Sequence, residues 1–265
     1  MKKLILRCTV FVSCSIVLLL ASCGNKVKPN YDIPDEILDA KMQELIEKLN
    51  RDLPMLIDGI GSKVSEAYDN KRKTMISTYE VGWGVALNKV LNSNPENAKY
   101  RRIYNLSFVE NPQEMARFGL DMEEVFYYYN LKKGCKDTIS VTLTNKELRR
   151  ALEDTRYRDS ASVVWLTYLY NDEYSYKSKG KTKFILKDTV ENNCFVRTVV
   201  VCRRSVFDTY KSIIDEMVLE ESRDGNSREC FDRLGNAELD FVVRYVDAQS
   251  GEFVEGKLPY KAFKH

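Results

Sequence analysis

The sequence predicts an α+β fold: antiparallel sheets covered by helices, arranged as two related strand–helix–hairpin units. Three observations predict it. Short alternating segments bounded by turn residues recur in both halves, as half-buried strands require. Amphipathic helical stretches separate them, and an antiparallel sheet must bury its apolar face under such helices. The two halves also close alike. Asn111-Pro112-Gln113-Glu114 leads through Gly119 and an aromatic strand to Tyr129, then a turn at Gly134 and a last strand. Asn226-Ser227-Arg228-Glu229 leads through Gly235 and a strand to Tyr245, then a turn at Gly251 and a last strand. The offsets are 115, 116, 116 and 117 residues, a drift that single-residue loop changes produce.

In chain order, residues 1–22 read as a leader, 23–33 as a polar tether, 34–154 as the first unit and 155–265 as the second. Pro34 to Leu53 is a helix by the spacing of Ile37, Leu38, Leu45, Ile46 and Leu49, with Asp35 and Glu36 in the first turn, where the helix dipole favours acids. Pro54 stops it. Lys63–Tyr68 and Thr74–Val81 alternate about the turn Asp69-Asn70-Lys71 and form a hairpin, with Val64, Glu66 and Tyr68 on one face. Gly82-Trp83-Gly84 is a turn holding a partly buried Trp. The pattern is helical from Pro95, with Tyr100, Ile103, Tyr104 and Leu106 on one side. Asn111–Gly119 is a short capped helix. Val125–Leu131 and Thr138–Leu143 are strands joined at Lys132-Lys133-Gly134, and Asn145–Leu152 is a short helix.

The polar stretch Thr155–Ser160 marks the unit boundary. Val163–Tyr170 reads as a strand by its β-branched and aromatic content, followed by strands over Lys181–Val190 and Phe195–Cys202. A single helix fits Ser205–Glu221 through Phe207, Tyr210, Ile213, Ile214 and Met217. Asn226–Leu234 is a short helix ending at Gly235. Ala237–Val246 and Glu252–Tyr260 make a closing hairpin. Lys177, Lys179, Lys181 and Lys183 alternate, as on a solvated strand face or a charge-protected edge.

Composition removes several functional classes. The one His is the last residue, His265, which excludes His-ligated metal sites and Ser-His triads. A balance of 41 Lys and Arg against 39 Asp and Glu excludes a phosphate-neutralising nucleic-acid binder. There is no Cys-x-x-Cys, phosphate loop or nucleophile elbow, and no cofactor is implied. Acid groups such as Asp121, Glu123 and Glu124, or Glu220 and Glu221, are surface acids unless two face each other across a cleft. Tyrosine is the one suggestive feature. Tyr127, Tyr128 and Tyr129 alternate across a sheet. Tyr168, Tyr170, Tyr174 and Tyr176 alternate with Leu169, Asn171 and Ser175. Tyr127, Tyr129, Tyr168 and Tyr170 are therefore the candidate binding face.

The first 23 residues carry the most specific motif. Lys2, Lys3 and Arg7 are followed by an apolar stretch from Cys8 to Leu20, too short for the roughly 20 residues of a membrane span. It closes on Leu20-Ala21-Ser22-Cys23. This segment resembles a bacterial lipoprotein signal, and the last four residues match its lipobox at every position. The resemblance implies cleavage before Cys23 and attachment of lipid to its thiol. It also implies an outer-membrane location, since Gly24 rather than Asp follows the Cys, and a periplasmic face, since Asn25-Lys26-Val27-Lys28 lacks acidic export character. Cleavage removes three basic residues and no acid, leaving 243 residues at a net charge of −1. The body loosely resembles small uncharacterised α+β proteins of Gram-negative bacteria that end in a helix, a Gly turn and a Tyr-bearing hairpin. That likeness implies fold, not activity.

Cys135, Cys194, Cys202 and Cys230 remain after processing, and in an oxidising compartment they allow three pairings. The resulting expectation is a lipid-anchored, non-catalytic binding or structural module, held to a membrane through Cys23, with a protein or glycan partner and no nucleic acid. The alternatives are a carboxylate-dependent envelope hydrolase and an inhibitor or immunity-type protein that binds a secreted toxin.

Overall fold

A computed structural model describes residues 34–57, 60–106, 116–174 and 182–264. The leader, Cys23, the tether, the Asn111–Glu114 cap, Tyr176, Lys177, Lys179, Lys181 and His265 lie outside them. The fold is α+β, and the chain divides into two compact units between Glu153 and Asp154.

The first unit opens with α1 (Asp35–Asn50). Leu38 and Met42 recur at helical spacing and bury against Met75 and Leu120, with Leu45, Ile46, Leu49, Tyr68 and Phe118 around them. A five-stranded sheet follows in the order β1 (Met55–Ile57), β2 (Gly61–Asp69), β3 (Thr74–Val81), β4 (Asp121–Asn130) and β5 (Cys135–Leu143). The β2–β3 turn is held by the Asp69 carboxylate, which accepts from the Lys71 and Arg72 amides at 3.0 and 3.1 Å. Between β3 and β4 the chain crosses over through α2 (Ala86–Ser93) and α3 (Ala98–Asn105), so these two strands are parallel. The sheet is therefore mixed, with its other ladders antiparallel. The unit ends in α4 (Asn145–Glu153), opened by a reciprocal cap: the Thr144 amide donates to Glu147 Oε2 at 3.0 Å and the Glu147 amide to Thr144 Oγ1 at 3.3 Å.

A β-bulge between Lys63 and Ser65 corrects the expected facing of β2. The extra residue turns Val64 outward and puts Lys63 and Glu66 together on the covered face. Trp83, expected to be partly buried, is 74% exposed.

The second unit opens with α5 (Thr155–Tyr174), capped by the Asp154 carboxylate on the Tyr157 amide at 3.0 Å. This corrects the reading of Val163–Tyr170 as a strand. Asp159, Ala161, Ser162, Val163, Trp165, Leu166 and Thr167 are all buried. A helix covered on most sides shows no apolar stripe, and its Val, Thr and aromatic residues imitate a strand. The sheet order is β6 (Lys183–Glu191), β7 (Cys194–Val201), β8 (Asp240–Asp247) and β9 (Phe253–Leu258), again with a parallel central pair. The crossover runs through α6 (Arg204–Ser212), α7 (Ile214–Glu221) and α8 (Arg228–Ala237). The single helix expected over Ser205–Glu221 is broken at Ile213, whose φ of −125° and ψ of 35° leave the helical region. The helix expected to end at Gly235 continues to Ala237, and Glu238 closes it in the left-handed region at φ 53°. Gly235 is needed for space instead: a Cβ there would lie 2.6 Å from the Phe263 carbonyl oxygen.

The two units repeat one plan, and one device recurs in full. In each, an Asn at or near the end of the first helix clamps the backbone of the acid that follows a bulge. Asn50 receives the Glu66 amide at 2.9 Å and donates to its carbonyl at 2.8 Å. Asn171 receives the Asp188 amide at 2.6 Å and donates to its carbonyl at 2.8 Å. The second bulge lies between Ile185 and Lys187. Gly134 and Gly251 both take φ near 70° and donate to the carbonyl four residues back, of Asn130 and Asp247. Two other matches in the repeat shift. The left-handed residue paired with Gly119 is Glu238 rather than Gly235. By strand register, Phe126 rather than Tyr129 matches Tyr245.

Candidate functional site

The clamped acids sit at the heart of two buried ionic centres. In the second unit, Arg197 stands opposite Asp188 in the β6–β7 ladder, and both side chains are wholly buried. The guanidinium donates from Nε and Nη2 to the two carboxylate oxygens at 3.0 and 2.9 Å, a two-pronged pair. Its Nη2 also donates to Tyr174 Oη at 3.0 Å and to the Ser227 hydroxyl, and Nη1 reaches Asp224 at 3.1 Å. Glu221 approaches Nη1 at 3.8 Å and receives Lys183 at 3.0 Å and the Tyr245 hydroxyl at 3.3 Å. Burial opposes the Arg197 charge, but the bonds and attraction of Asp188 outweigh it and raise the pKa above the ordinary arginine value. Burial, then Asp188, pushes the Tyr174 phenol up. Burial, then Glu221, does the same to Tyr245. Both phenols remain neutral donors.

The first unit builds its centre from other residues. Glu66 takes the Ser77 hydroxyl at 2.8 Å and pairs with Lys63. Arg101, from α3, donates to Glu124 at 2.5 Å and lies over the Tyr79 and Phe126 rings at 5.1 and 6.0 Å. Burial works against the Glu124 charge, yet Arg101 outweighs it and holds the carboxyl below its usual range. In both centres the buried charges face opposite charges on the same unit. Their chemistry is internal: they orient strands and helices and hold protons in place. Glu124 and Glu221, both read from sequence as surface acids, are buried in these centres.

The second candidate is the outer face of the first sheet. Met75, Ser77, Tyr79, Met122, Glu124 and Phe126 point toward α1 and α3. The opposite face carries Thr78, Val125 and Ser140 in one row and Leu56, Ser62, Glu80, Tyr127 and Thr138 in the next. Tyr127 is 45% exposed on it, and Leu56, on edge strand β1, is largely exposed. Trp83 lies two residues beyond the end of β3, at the same end of the sheet as the Glu80–Tyr127 pair. Sequence reasoning does not place Trp83 or Leu56 on a binding face: it reads Trp83 as partly buried in a turn and does not name Leu56. The only signal was a Trp between two glycines, a place where little can cover it.

The four tyrosines do not form one row. Tyr127 and Tyr129 share the outer face of β4, but the Tyr129 hydroxyl donates to the Gly134 carbonyl at 2.9 Å and serves the turn. Tyr168 and Tyr170 belong to α5 of the other unit, not to a strand. They lie against Trp165 and Tyr174, with ring centroids 6.5 and 6.4 Å apart. Cys135, Cys194, Cys202 and Cys230 are all free thiols, and Cys230 is buried, which pushes its pKa up. Among the described residues no cluster of three or more His, Cys, Asp or Glu is placed to hold a metal ion. None of their helices is long and apolar enough to cross a membrane.

No family model matches the chain. No curated protein matches it. Among solved structures it is similar to a crystal structure described as a "putative secreted protein" from Pseudomonas aeruginosa. That likeness has 10% identity and a TM-score of 0.31, over 40% of this chain and 96% of the other.

Proposed function

We propose that this chain is a lipid-anchored protein of the bacterial cell envelope, a non-catalytic binding module held to the outer membrane on its periplasmic side. The observation that carries this reading is Leu20-Ala21-Ser22-Cys23 behind a basic start and a short apolar core. Acyl chains on Cys23 anchor the body at about 0.8 kcal/mol per buried CH₂. The tether, residues 24–33, then lets it stand off by at most roughly 35 Å. The binding surface is the outer face of the first sheet around Tyr127, with Leu56 and Trp83 at its border. A Tyr among Thr and Ser hydroxyls offers apolar contact with little rotamer freedom to lose, together with hydrogen bonds, which suits a protein or glycan partner.

Two experiments test the two halves of the reading. For anchoring, Cys23→Ala is expected to block processing and release the protein from membrane fractions; unchanged processing and fractionation contradict it. For binding, crosslinking of envelopes is expected to capture a partner that Tyr127→Ala and Trp83→Ala lose, with the protein level unchanged. A partner captured equally by both variants places the binding surface elsewhere.

A further inference from the structure

We infer that strand β9 is a self-pairing edge, built to join a second copy of this chain in one register. β9 ends the second sheet, and among the described residues only β8 pairs with it. Its Val254, Gly256 and Leu258 alternate with Phe253, Glu255 and Lys257. Gly256 faces α7 so closely that a Cβ would lie 2.8 Å from the Ile214 and Val218 side chains. The other set points to the opposite face, where Glu255 and Lys257 are exposed and Phe253 is 60% exposed.

That face carries a ladder of alternating charge. Glu191 meets Arg244 at 3.5 Å, and Arg244 meets Glu255 at 2.5 Å. Lys257 meets Asp240 at 2.7 Å. The ladder therefore reaches the open edge with one negative and one positive side chain, two residues apart. A second β9, antiparallel and with Gly256 opposite Gly256, places Glu255 against Lys257 of the other copy, twice. The same register sets Val254 against Leu258 on the α7 side. The signs then alternate through the joint: Glu191, Arg244, Glu255, then Lys257 and Asp240 of the second copy. Opposite charges directly across an antiparallel pair favour it, and like charges oppose it.

Charge on an edge strand ordinarily discourages pairing. Here it forbids the registers that bring Lys257 to Lys257 or Glu255 to Glu255 and leaves the one through Gly256. The matching strand of the first unit, β5, has Ser140 and Thr142 at the places of Glu255 and Lys257, and Val141 at that of Gly256. The charge pair is thus a property of this edge, not of the repeated plan. Six residues make a small interface, so the association is weak and concentration-dependent.

Two charge reversals in the full chain test this. Lys257→Glu presents two acids and Glu255→Lys two bases, so neither pairs with itself, but each complements the other at both positions. Differently tagged copies of the unaltered chain are expected to co-purify from membranes after crosslinking. Each variant is expected to lose this with its own kind, and the mixture of the two to regain it. Misfolding cannot produce that recovery. In a second measurement, copies bearing Glu255→Cys and Lys257→Cys are expected to form a disulfide with each other. Like copies, two residues out of register and roughly 7–8 Å apart, are not. No self-association of the unaltered chain, undiminished association of either variant alone, or equal disulfide formation between like copies overturns the proposal.

Discussion

Arg197 shows what a single side chain can hold together. It is wholly buried and satisfies Asp188, Tyr174, Ser227 and Asp224 at once. Removing one partner of such a pair leaves an uncompensated buried charge, which costs about 3–5 kcal/mol. Arg197→Met is therefore expected to lower the free energy of unfolding by that amount, read as a lower urea midpoint at an unchanged slope; a loss below about 1 kcal/mol would show that water reaches Asp188. The ionisable groups also fix the pH response. Glu124 is depressed, burial being outweighed by Arg101, and Asp137 is lowered to about 2 by its bonds to Lys133 and Asn130. A depressed carboxyl contributes stability that is full above its unfolded pKa and is lost as pH falls through the folded one. Stability is thus expected to hold from pH 7 to 5 and to fall below about 4.5, the contribution of Asp137 being lost as the pH approaches 2. Tyr68, raised to about 12 by burial and then Asp39, works at the other end with Tyr174 and Tyr245. Above pH 10 the unfolded chain releases phenolic protons that the fold retains, so stability falls again. Urea titrations across the range check both limbs, and a fold unchanged at pH 3 would contradict the first.

At the scale of the element, Gly235 and the Asn clamps are the sharpest tests. Gly235→Ala forces a methyl against the Phe263 carbonyl and is expected to unseat the closing turn Tyr260–Phe263 from α8. Faster amide exchange or proteolysis at the C-terminus measures it. Asn171→Ala leaves the Asp188 amide and carbonyl without their partner and is expected to cost about 2–4 kcal/mol; Asn50→Ala acts likewise on the first unit. These elements were unequally legible in the sequence. The hairpins β2–β3, β4–β5 and β8–β9 announce themselves by alternation around turn residues, because one face is buried and the other wet. α5 does not, since burial on most sides erases the stripe that marks a helix. The short helix α2 escaped notice because Asn88 and Asn92 break its apolar pattern. They are there to hold the β4 turn: Asn88 accepts from the Tyr129 amide at 3.2 Å and Asn92 from the Leu131 amide at 2.7 Å. The bulges left no mark in the sequence, so the faces of Lys63 and Glu66 could not be assigned from alternation.

The whole molecule is one plan used twice, with different buried chemistry at each centre. The repeat was visible in its closing turns, where Gly134 and Gly251 hold equivalent places. The Asn–acid clamps were invisible, because residues 121 or 122 apart in sequence share a role that only the register reveals. Of the candidate face, Tyr127 was legible by alternation along β4. Trp83 was not, because exposure of a loop residue has no periodic signature. Among the described residues no helix is long and apolar enough to cross a membrane, and the proposed attachment rests on the leader and Cys23. Intact-mass spectrometry of the protein purified from membranes tests that most directly. The predicted spectrum is that of a chain beginning at Cys23 and heavier than its sequence by the mass of its acyl chains. A spectrum matching an unacylated chain, or one that still begins at Met1, would contradict it.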